Sequence, residues 1–171
     1  MERIAEFEKV SFGQFETAWG DTFGKECCGG LKNIYSEIKL PERATSGSAG
    51  YDFFLTEDLL LAPGESIKIP TGIRVRMREG WVLLLFPRSG LGFKYRLQLN
   101  NTVGVIDSDY YNSDNEGHIF AKVTNDSNEG KTLNLKRNDS FMQGIFLPFG
   151  IAEGDHASAE RNGGFGSTSK K

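Results

Sequence analysis

The sequence has few residues of the kinds that build disulfide frameworks or metal centres. Its 171 residues include two cysteines, the adjacent Cys27 and Cys28, and two histidines, His118 and His156, which lie far apart in the chain. Adjacent cysteines suit neither a disulfide framework nor the spaced ligand pairs of a zinc site. We therefore expect two reduced thiols and no structural metal.

Long apolar runs and a strong charge of one sign are also missing. No apolar run approaches the roughly 20 residues that a membrane helix needs, and the start MERIAEFEKV carries acids where a signal peptide carries only bases. The net charge is only −3, which argues against a protein that coats nucleic acid or a membrane surface. These absences predict a soluble, cytoplasmic protein that binds neither nucleic acid nor membranes.

The start of the chain predicts a helix. Ser11 followed by Gln14 forms a capping-box pattern, and Phe12, Phe15 and Trp19 recur at helical spacing. An amphipathic helix packed on the domain explains this pattern better than a membrane or calmodulin-type helix, because a basic face is missing. The next stretch, TFGKECCGGLKN, predicts a loop.

Short apolar segments separated by turn residues follow, a pattern typical of β-strands. In GIRVRMREGWVLLLF, apolar residues and arginines alternate from Ile73 to Arg78, and the REG turn leads to the apolar run Val82 to Phe86. We interpret this stretch as a hairpin of one half-buried and one buried strand, with the arginines on a solvated face. Further strand segments are ESIKIP, RLQLNNTVGVI, HIFAKVTN, KTLNLK and FMQGIFLPF. Many short strands, with no helix after the first segment, predict an all-β sandwich or barrel.

The pattern divides the chain into three parts. Residues 1–33 form an N-terminal helical extension, residues 34–153 a β domain, and residues 154–171 a Gly-rich C-terminal tail. The tail ends in GGFGSTSKK, which places Phe165 among residues that cannot pack a core and are usually flexible. An aromatic residue in such a tail indicates a role other than packing.

Beside this tail, the stretches AGYDFF, PRSGLG and NNTVGVIDSDYYN contain polar residues that suit chemistry as well as turns. Arg88 and Ser89 follow a buried strand, and Gly90 exposes backbone N–H groups, so that PRSGLG can form either a phosphate cradle or an ordinary turn. Asp107 and Asp109 follow an apolar run, where a carboxylate can orient a water or bind a metal. Aspartate is also a common turn residue, so this stretch alone favours a turn.

Taken in order, these stretches resemble the five sequence motifs of the homotrimeric dUTPases, of phage or Gram-positive bacterial type. SAGYDFFL resembles the first motif, PRSGLG the second, NTVGVIDSDY the third, NDSFMQG the fourth and GGFGST the fifth, over Ile38 to Thr168. The resemblance implies a jelly-roll-like β-barrel, the dUTPase β-clip, in agreement with the all-β prediction. It also implies a homotrimer in which each active site draws motifs from all three chains.

The resemblance implies hydrolysis of dUTP to dUMP and pyrophosphate, which limits uracil in DNA and supplies dUMP. Water attacks the α-phosphorus in line, and the cofactor Mg²⁺ is bound to the triphosphate. Asp107 matches the carboxylate that orients and deprotonates the water, and Asp52 matches the acid that holds Mg²⁺ through its waters. The residues that match phosphate contacts are Arg88, Ser89, Gly90, Gln143, Arg161, Gly166, Ser167 and Thr168.

The third and fifth motifs imply how uracil and deoxyribose are bound. Asn101 matches the residue that pairs with the uracil edge, assisted by the hairpin backbone at Val105 and Ile106. Tyr110 matches the ring that lies against deoxyribose, although outside this motif it reads as a half-buried strand aromatic. Phe165 matches the aromatic that covers uracil when the tail closes over the nucleotide of a neighbouring chain.

Three other functions stay open. In the related dCTP deaminases a glutamate base stands at the position of Lys122, and an ordinary lysine ammonium cannot accept a proton at neutral pH, which argues against deamination. A dUTPase-like nucleotide sensor or protein-binding regulator would use residues 1–33 or the loop 111–117 to bind a protein partner. A jelly-roll structural protein would bind no nucleotide.

The chain departs from the family pattern in two motifs. Ser140 and Gly144 stand where the fourth motif usually has arginine and leucine. In the tail, Arg161 lies one residue after the usual arginine position, which Glu160 occupies, and Ser169 replaces a glycine. The changes in the fourth motif, together with the loop 111–117 and the N-terminal helix, keep the sensor hypothesis open.

Overall fold

The computed structural model describes residues 2–24 and 30–159, which are mostly β-strand. The strands are β1 (Ala5–Lys9), β2 (Tyr51–Phe54), β3 (Leu59–Leu61), β4 (Ser66–Pro70), β5 (Ile73–Met77), β6 (Trp81–Pro87), β7 (Leu97–Leu99), β8 (Gly104–Ile106), β9 (Phe120–Asn125), β10 (Leu133–Leu135) and β11 (Ser140–Pro148). The helices are α1 (Phe12–Phe23), α2 (Leu31–Ser36), α3 (Ser89–Tyr95) and a 3₁₀ helix (Ser108–Asn112).

All strand pairs are antiparallel, as expected for a chain without β–α–β crossovers. A central sheet has the order β2-β11-β6-β8, a second has the order β4-β9-β7, and two pairs join β1 to β5 and β10 to β3. The predicted all-β, jelly-roll-like class is confirmed. Within the described residues the strands form packed open sheets and not a closed barrel.

The predicted hairpin of β5 and β6 is wrong, although both strands exist. β5 pairs with β1, whereas β6 lies between β11 and β8 in the central sheet. In the β1–β5 pair, Glu8 lies opposite Arg74 and Glu6 opposite Arg76, with shortest N–O distances of 2.9 Å and 2.5 Å. Opposite charges facing each other across two strands favour this register. The arginines therefore lie on an outer face, as predicted, but they are paired with the N-terminal strand.

The N-terminal helix is confirmed, and it shares the core of the β-sheets. Ser11 caps α1, because its Oγ accepts a hydrogen bond of 3.2 Å from the backbone N–H of Gln14. Phe15 and Trp19 are at most 1% exposed and belong to the same buried cluster as Phe53 of β2. The division of the chain at residues 33 and 34 stays a prediction, and α2 runs across it.

Two other expectations about helices and strands were wrong. Residues 2–24 include the strand β1 in addition to the predicted helix, and α3 is a helix well after the first segment. None of the helices in the described ranges is long and apolar enough to cross a membrane. Cys27 and Cys28 lie outside the described residues.

Candidate active site

One cluster of predicted site residues lies where β6 ends. Arg88 joins β6 to α3, and its Nε lies 3.4 Å from Asp52 Oδ1 on β2. The Arg88 Nη1 also donates a hydrogen bond to Ser140 Oγ at the start of β11. Ser89 and Gly90, in the first turn of α3, line a cleft of about 450 Å³ together with Arg88 and Ser140. The fold thus assembles the predicted phosphate contacts of the second motif beside the acid of the first.

Gln143 joins this cluster from the neighbouring strand. It lies opposite Asp52 in the β11–β2 pair, and its side chain packs on the backbone of Gly50. A Cβ atom at Gly50 would lie 2.6 Å from Gln143 Oε1, so only glycine permits this approach. Ser140 stands where the fourth motif usually has arginine, and the structure shows what the serine contacts. Its hydroxyl accepts a hydrogen bond from Arg88 of the second motif.

A second cluster surrounds the turn between β7 and β8. Asn101 is exposed in this turn and borders a pocket of about 340 Å³, whose walls include Lys68 and Lys122, which lie opposite each other on β4 and β9. Gly104 packs closely on the wall residue Leu85, since a Cβ at position 104 would lie 3.0 Å from Leu85 Cβ. Lys68 was not predicted from the sequence as a pocket residue. Its place in the alternating segment ESIKIP indicated only that it belongs to a strand.

Asp107 follows β8 directly, at the start of the 3₁₀ helix. Its side chain is half-buried, and its carbonyl oxygen accepts a hydrogen bond of 3.2 Å from the Tyr110 N–H. Of the two predicted hairpin contacts before it, Val105 is 52% exposed on the outer face, while the side chain of Ile106 is 2% exposed in the core. Their predicted backbone contacts with uracil stay predictions.

Tyr110 is a core residue in this chain. Its side chain is 2% exposed, its hydroxyl donates to the His118 carbonyl at 2.8 Å, and the same hydroxyl accepts from Asn115 Nδ2 at 2.8 Å. These contacts give the ring a packing role between the 3₁₀ helix and β9. Its predicted contact with deoxyribose stays a prediction.

Asp107 and the first cluster, around Arg88 and Asp52, lie at opposite corners of the central sheet. The strand registers place Asp52 and Gln143 beside Phe86 of β6, whereas Asp107 follows β8 at the level of Val82. Four residues along β6 at about 3.4 Å each, and three strand spacings of about 4.8 Å, separate Asp107 from Asp52 by about 20 Å. One chain therefore does not bring the two carboxylates to one substrate.

The fifth motif cannot be placed in the fold. Its predicted contacts Arg161, Phe165, Gly166, Ser167 and Thr168 all lie outside the described residues. Within residues 2–24 and 30–159, no group of three or more His, Cys, Asp or Glu side chains could hold a metal ion. A lone carboxylate such as Asp52, with a side chain 17% exposed, suits a Mg²⁺ ion that keeps several waters and is held mainly by substrate phosphates.

The antiparallel β fold, with an arginine–carboxylate cleft at one corner of a sheet and a small apolar pocket at another, places the chain in the jelly-roll-like class. Comparison with known proteins is more specific. The dUTPase family model matches residues 36–169. Over 134 residues the chain is 46% identical to the deoxyuridine 5′-triphosphate nucleotidohydrolase of Lactococcus lactis, which covers 77% of this chain and 88% of that protein. The chain belongs to the dUTPase family, a family of enzymes.

Other relatives and solved structures agree with this result. The deoxyuridine 5′-triphosphate nucleotidohydrolase of Hahella chejuensis is 38% identical over 148 residues, covering 82% of this chain and 93% of that protein. A crystal structure of dUTPase from Streptococcus mutans has a TM-score of 0.64 at 36% identity, covering 86% of this chain and 98% of that one. A mutant dUTPase from phage phi11 of S. aureus has a TM-score of 0.63 at 21% identity, covering 92% and 98%, and shares the fold. The stated resemblance is confirmed.

Proposed function

We propose that this chain hydrolyses dUTP to dUMP and pyrophosphate, in an oligomer whose active sites each join both clusters. The observation that carries the proposal is the cleft in which Arg88, next to Asp52, faces the same space as Ser89 and Gly90. An arginine, a hydroxyl and exposed backbone N–H groups are donors suited to phosphate oxygens. Membership of the dUTPase family supports dUTP as the nucleotide.

Phosphoryl transfer of this kind depends on positioning and on neutralising charge. Arg88 and the first turn of α3 would hold phosphate oxygens, and Gln143, fixed by its packing on Gly50, would donate its amide N–H groups beside them. Asp107 of another chain would accept a proton from the attacking water as its oxygen bonds to the α-phosphorus and pyrophosphate leaves. The half-buried position of this carboxylate limits the directions in which it can orient the water.

Mg²⁺ is the proposed cofactor, and Asp52 is the carboxylate that would hold it through coordinated water. When bound, the ion neutralises phosphate charge and polarises the phosphoryl oxygens. The phage phi11 dUTPase structure shows a structural Mg(II) ion in that protein. Arg88 Nε lies 3.4 Å from Asp52 Oδ1, so the positive guanidinium, which borders the cleft, holds this acid nearby.

The pocket beside Asn101 is the proposed uracil site. It is lined mainly by apolar side chains and by the backbone at Gly104, with the Asn101 amide at its edge. Once the bound base covers the Asn101 amide, cytosine would leave this amide without the partner that uracil gives it, which supplies discrimination. Lys122 borders the same pocket, and its ammonium offers no base for deamination.

The outer face of the central sheet supports assembly with further copies of the chain. Val82, Leu84 and Phe86 of β6 are only half-buried, and their neighbours Val105 and Leu147 are 52% and 43% exposed. Apolar strand residues of this kind are usually covered in a stable interface. We propose a homotrimer, in which a neighbouring chain brings its Asp107 to the cleft and the tail of another closes over it. Light scattering that gives the mass of a single chain would refute this assembly.

The decisive assay measures pyrophosphate release from dUTP, dCTP, dTTP and UTP with Mg²⁺ present. We expect cleavage of dUTP alone, and a loss of at least about a hundredfold in kcat for Asp107→Asn, because proton transfer contributes about 10²- to 10⁴-fold. Asp109→Asn, which changes an exposed acid two residues later, is the matched control and should keep most of the activity. Binding of dUTP without turnover by the wild-type chain would favour the nucleotide sensor instead.

A further inference from the structure

The loop 111–117 is hydrogen-bonded to the N-terminal segment, which comprises β1 and α1. The Ser11 backbone N–H donates to Glu116 Oε2 at 2.7 Å, and the Ser11 hydroxyl donates to Glu116 Oε1 at 2.5 Å. In a capping box, the N-cap N–H is usually bonded by a Glu or Gln three residues later. Here a glutamate 105 residues away in sequence takes that place, so Glu116 completes the cap of α1.

A second set of contacts ties the loop to β1 and β5. The Tyr111 hydroxyl donates to Glu8 Oε2 at 2.9 Å, and the same carboxylate oxygen lies 2.9 Å from Arg74 Nη2. The Arg74 guanidinium lies over the Tyr111 ring, 4.4 Å from its centre. One end of the loop, at Tyr111, is therefore held by Glu8 and Arg74. The other end, at Glu116, is held by Ser11.

The turn that closes the loop has a backbone that needs such support. Glu116 has a φ of 59°, in the left-handed region that residues with a Cβ rarely adopt, and Gly117 follows at 69°. A Cβ at Gly117 would lie 2.7 Å from the Tyr111 Cα and 2.8 Å from the Tyr110 carbonyl oxygen. The turn is thus packed directly on the 3₁₀ helix that follows Asp107.

Short hydrogen-bonded steps connect this turn to the Asp107 backbone. Asn115 donates to the Tyr110 hydroxyl at 2.8 Å, and the Tyr110 N–H donates to the Asp107 carbonyl at 3.2 Å. We propose that Glu116 is a positioning residue: by gripping Ser11 it fixes the turn that orients Asp107, and the N-terminal segment is thereby part of the catalytic apparatus. This inference rests on the proposed function for its kinetic consequence only.

The kinetic test compares Glu116→Gln and Ser11→Ala with the wild type, using dUTP and Mg²⁺. Misplacement of a catalytic group costs up to about a hundredfold, so we expect kcat to fall about tenfold or more while KM changes less than about twofold. The double variant should have a kcat no lower than that of the more impaired single variant, because both substitutions weaken the same Ser11–Glu116 contact. Ser11→Thr, which keeps the hydroxyl, should restore most of kcat. Glu129→Gln changes an exposed glutamate paired with Lys131 and should leave kcat unchanged.

A second readout does not depend on turnover. Amide hydrogen exchange of residues 108–117 should speed up in both Glu116→Gln and Ser11→Ala, while exchange in β6 and β11 stays as in the wild type. Unchanged exchange at 108–117 overturns the inference even if dUTP is hydrolysed. Faster exchange with unchanged kcat also overturns it, because the loop would then be held without consequence for Asp107. If the wild type releases no pyrophosphate, the proposed function fails. Hydrogen exchange alone then decides whether the Ser11–Glu116 contact holds residues 108–117 in place.

Discussion

His118 should make the stability of this protein depend on pH between 7 and 5. The side chain is fully buried, and its Nε2 accepts a hydrogen bond of 2.8 Å from the Gly72 N–H. The neutral ring therefore carries its proton on Nδ1, which has no hydrogen-bond partner among the described residues. Burial, the largest cause, and the positive charge of Lys68 together lower the pKa of His118 to about 3, against an opposing effect of Glu116.

The direction and size of the effect follow from this depressed pKa. In the unfolded chain the His118 imidazole has a pKa of about 6.5, so below that pH the unfolded state binds a proton that the folded state does not. The stabilisation is complete above pH 6.5 and is lost as the pH falls toward about 3. Below about pH 6.5 the slope is about 1.4 kcal/mol per pH unit, so the roughly 1.5 units down to pH 5 account for nearly all of a loss of about 2 kcal/mol between pH 7 and pH 5.

The assay is urea unfolding at pH 7, 6 and 5, at one fixed chain concentration, because assembly also stabilises the folded state. His118→Gln keeps an acceptor near the position of Nε2 but cannot be protonated, so its unfolding free energy should lose about 2 kcal/mol less than the wild type over this range. The comparison uses the pH slope, since the substitution itself costs packing. His156→Gln, at an exposed position, should keep the wild-type slope. Equal slopes for the wild type and His118→Gln would refute the reasoning.

Three further predictions concern Gly50, Gly144 and Arg76. Gly50→Ala should displace the Gln143 amide, whose Oε1 would lie 2.6 Å from the new Cβ, and steady-state kinetics should show kcat for dUTP at least about tenfold lower with an unchanged urea midpoint. Gly144→Leu, which restores the residue usual in the family, should destabilise the chain by about 1–3 kcal/mol in urea unfolding, because its Cβ would lie 2.8 Å from Leu83 Cδ1. A stabilised variant would contradict that packing. Arg76→Ala should change the unfolding free energy by less than about 1 kcal/mol, since its ion pair is exposed.

Local patterns in the sequence predicted the elements that depend on local physics. The alternation of Ile73, Val75 and Met77 with arginines predicted β5, and the Ser11 cap predicted the start of α1, since both depend on side-chain periodicity or a hydrogen bond within one turn. The partner of β5 could not be predicted in this way. The REG turn indicates only that the chain reverses, whereas pairing with β1 depends on glutamates about 70 residues earlier in the chain.

The sequence predicted candidate site residues, whose roles stay predictions, but not how the fold arranges them. Motif order identified Asp52, Arg88 and Gln143, and the fold confirms that these three residues lie together. The burial of Tyr110 could not be predicted, because the same motif fits a ring that is open to a ligand and a ring packed under a loop. The support for Gln143 from Gly50 was also missed, although AGYD contains the glycine, because close packing between distant segments leaves no local pattern.

The two corners of the central sheet differ in how firmly the fold holds them. Asp52 and Gln143 belong to strands that pair beside β6, and Arg88 is anchored to Ser140 across the same sheet. Asp107, in contrast, follows a three-residue strand at the edge of that sheet. In the proposed active site shared between chains, an error in the placement of this carboxylate would add to any error in docking the chains. The corner with the weaker strand therefore needs support from outside the sheet, and the Ser11–Glu116 contact supplies it from the N-terminal segment.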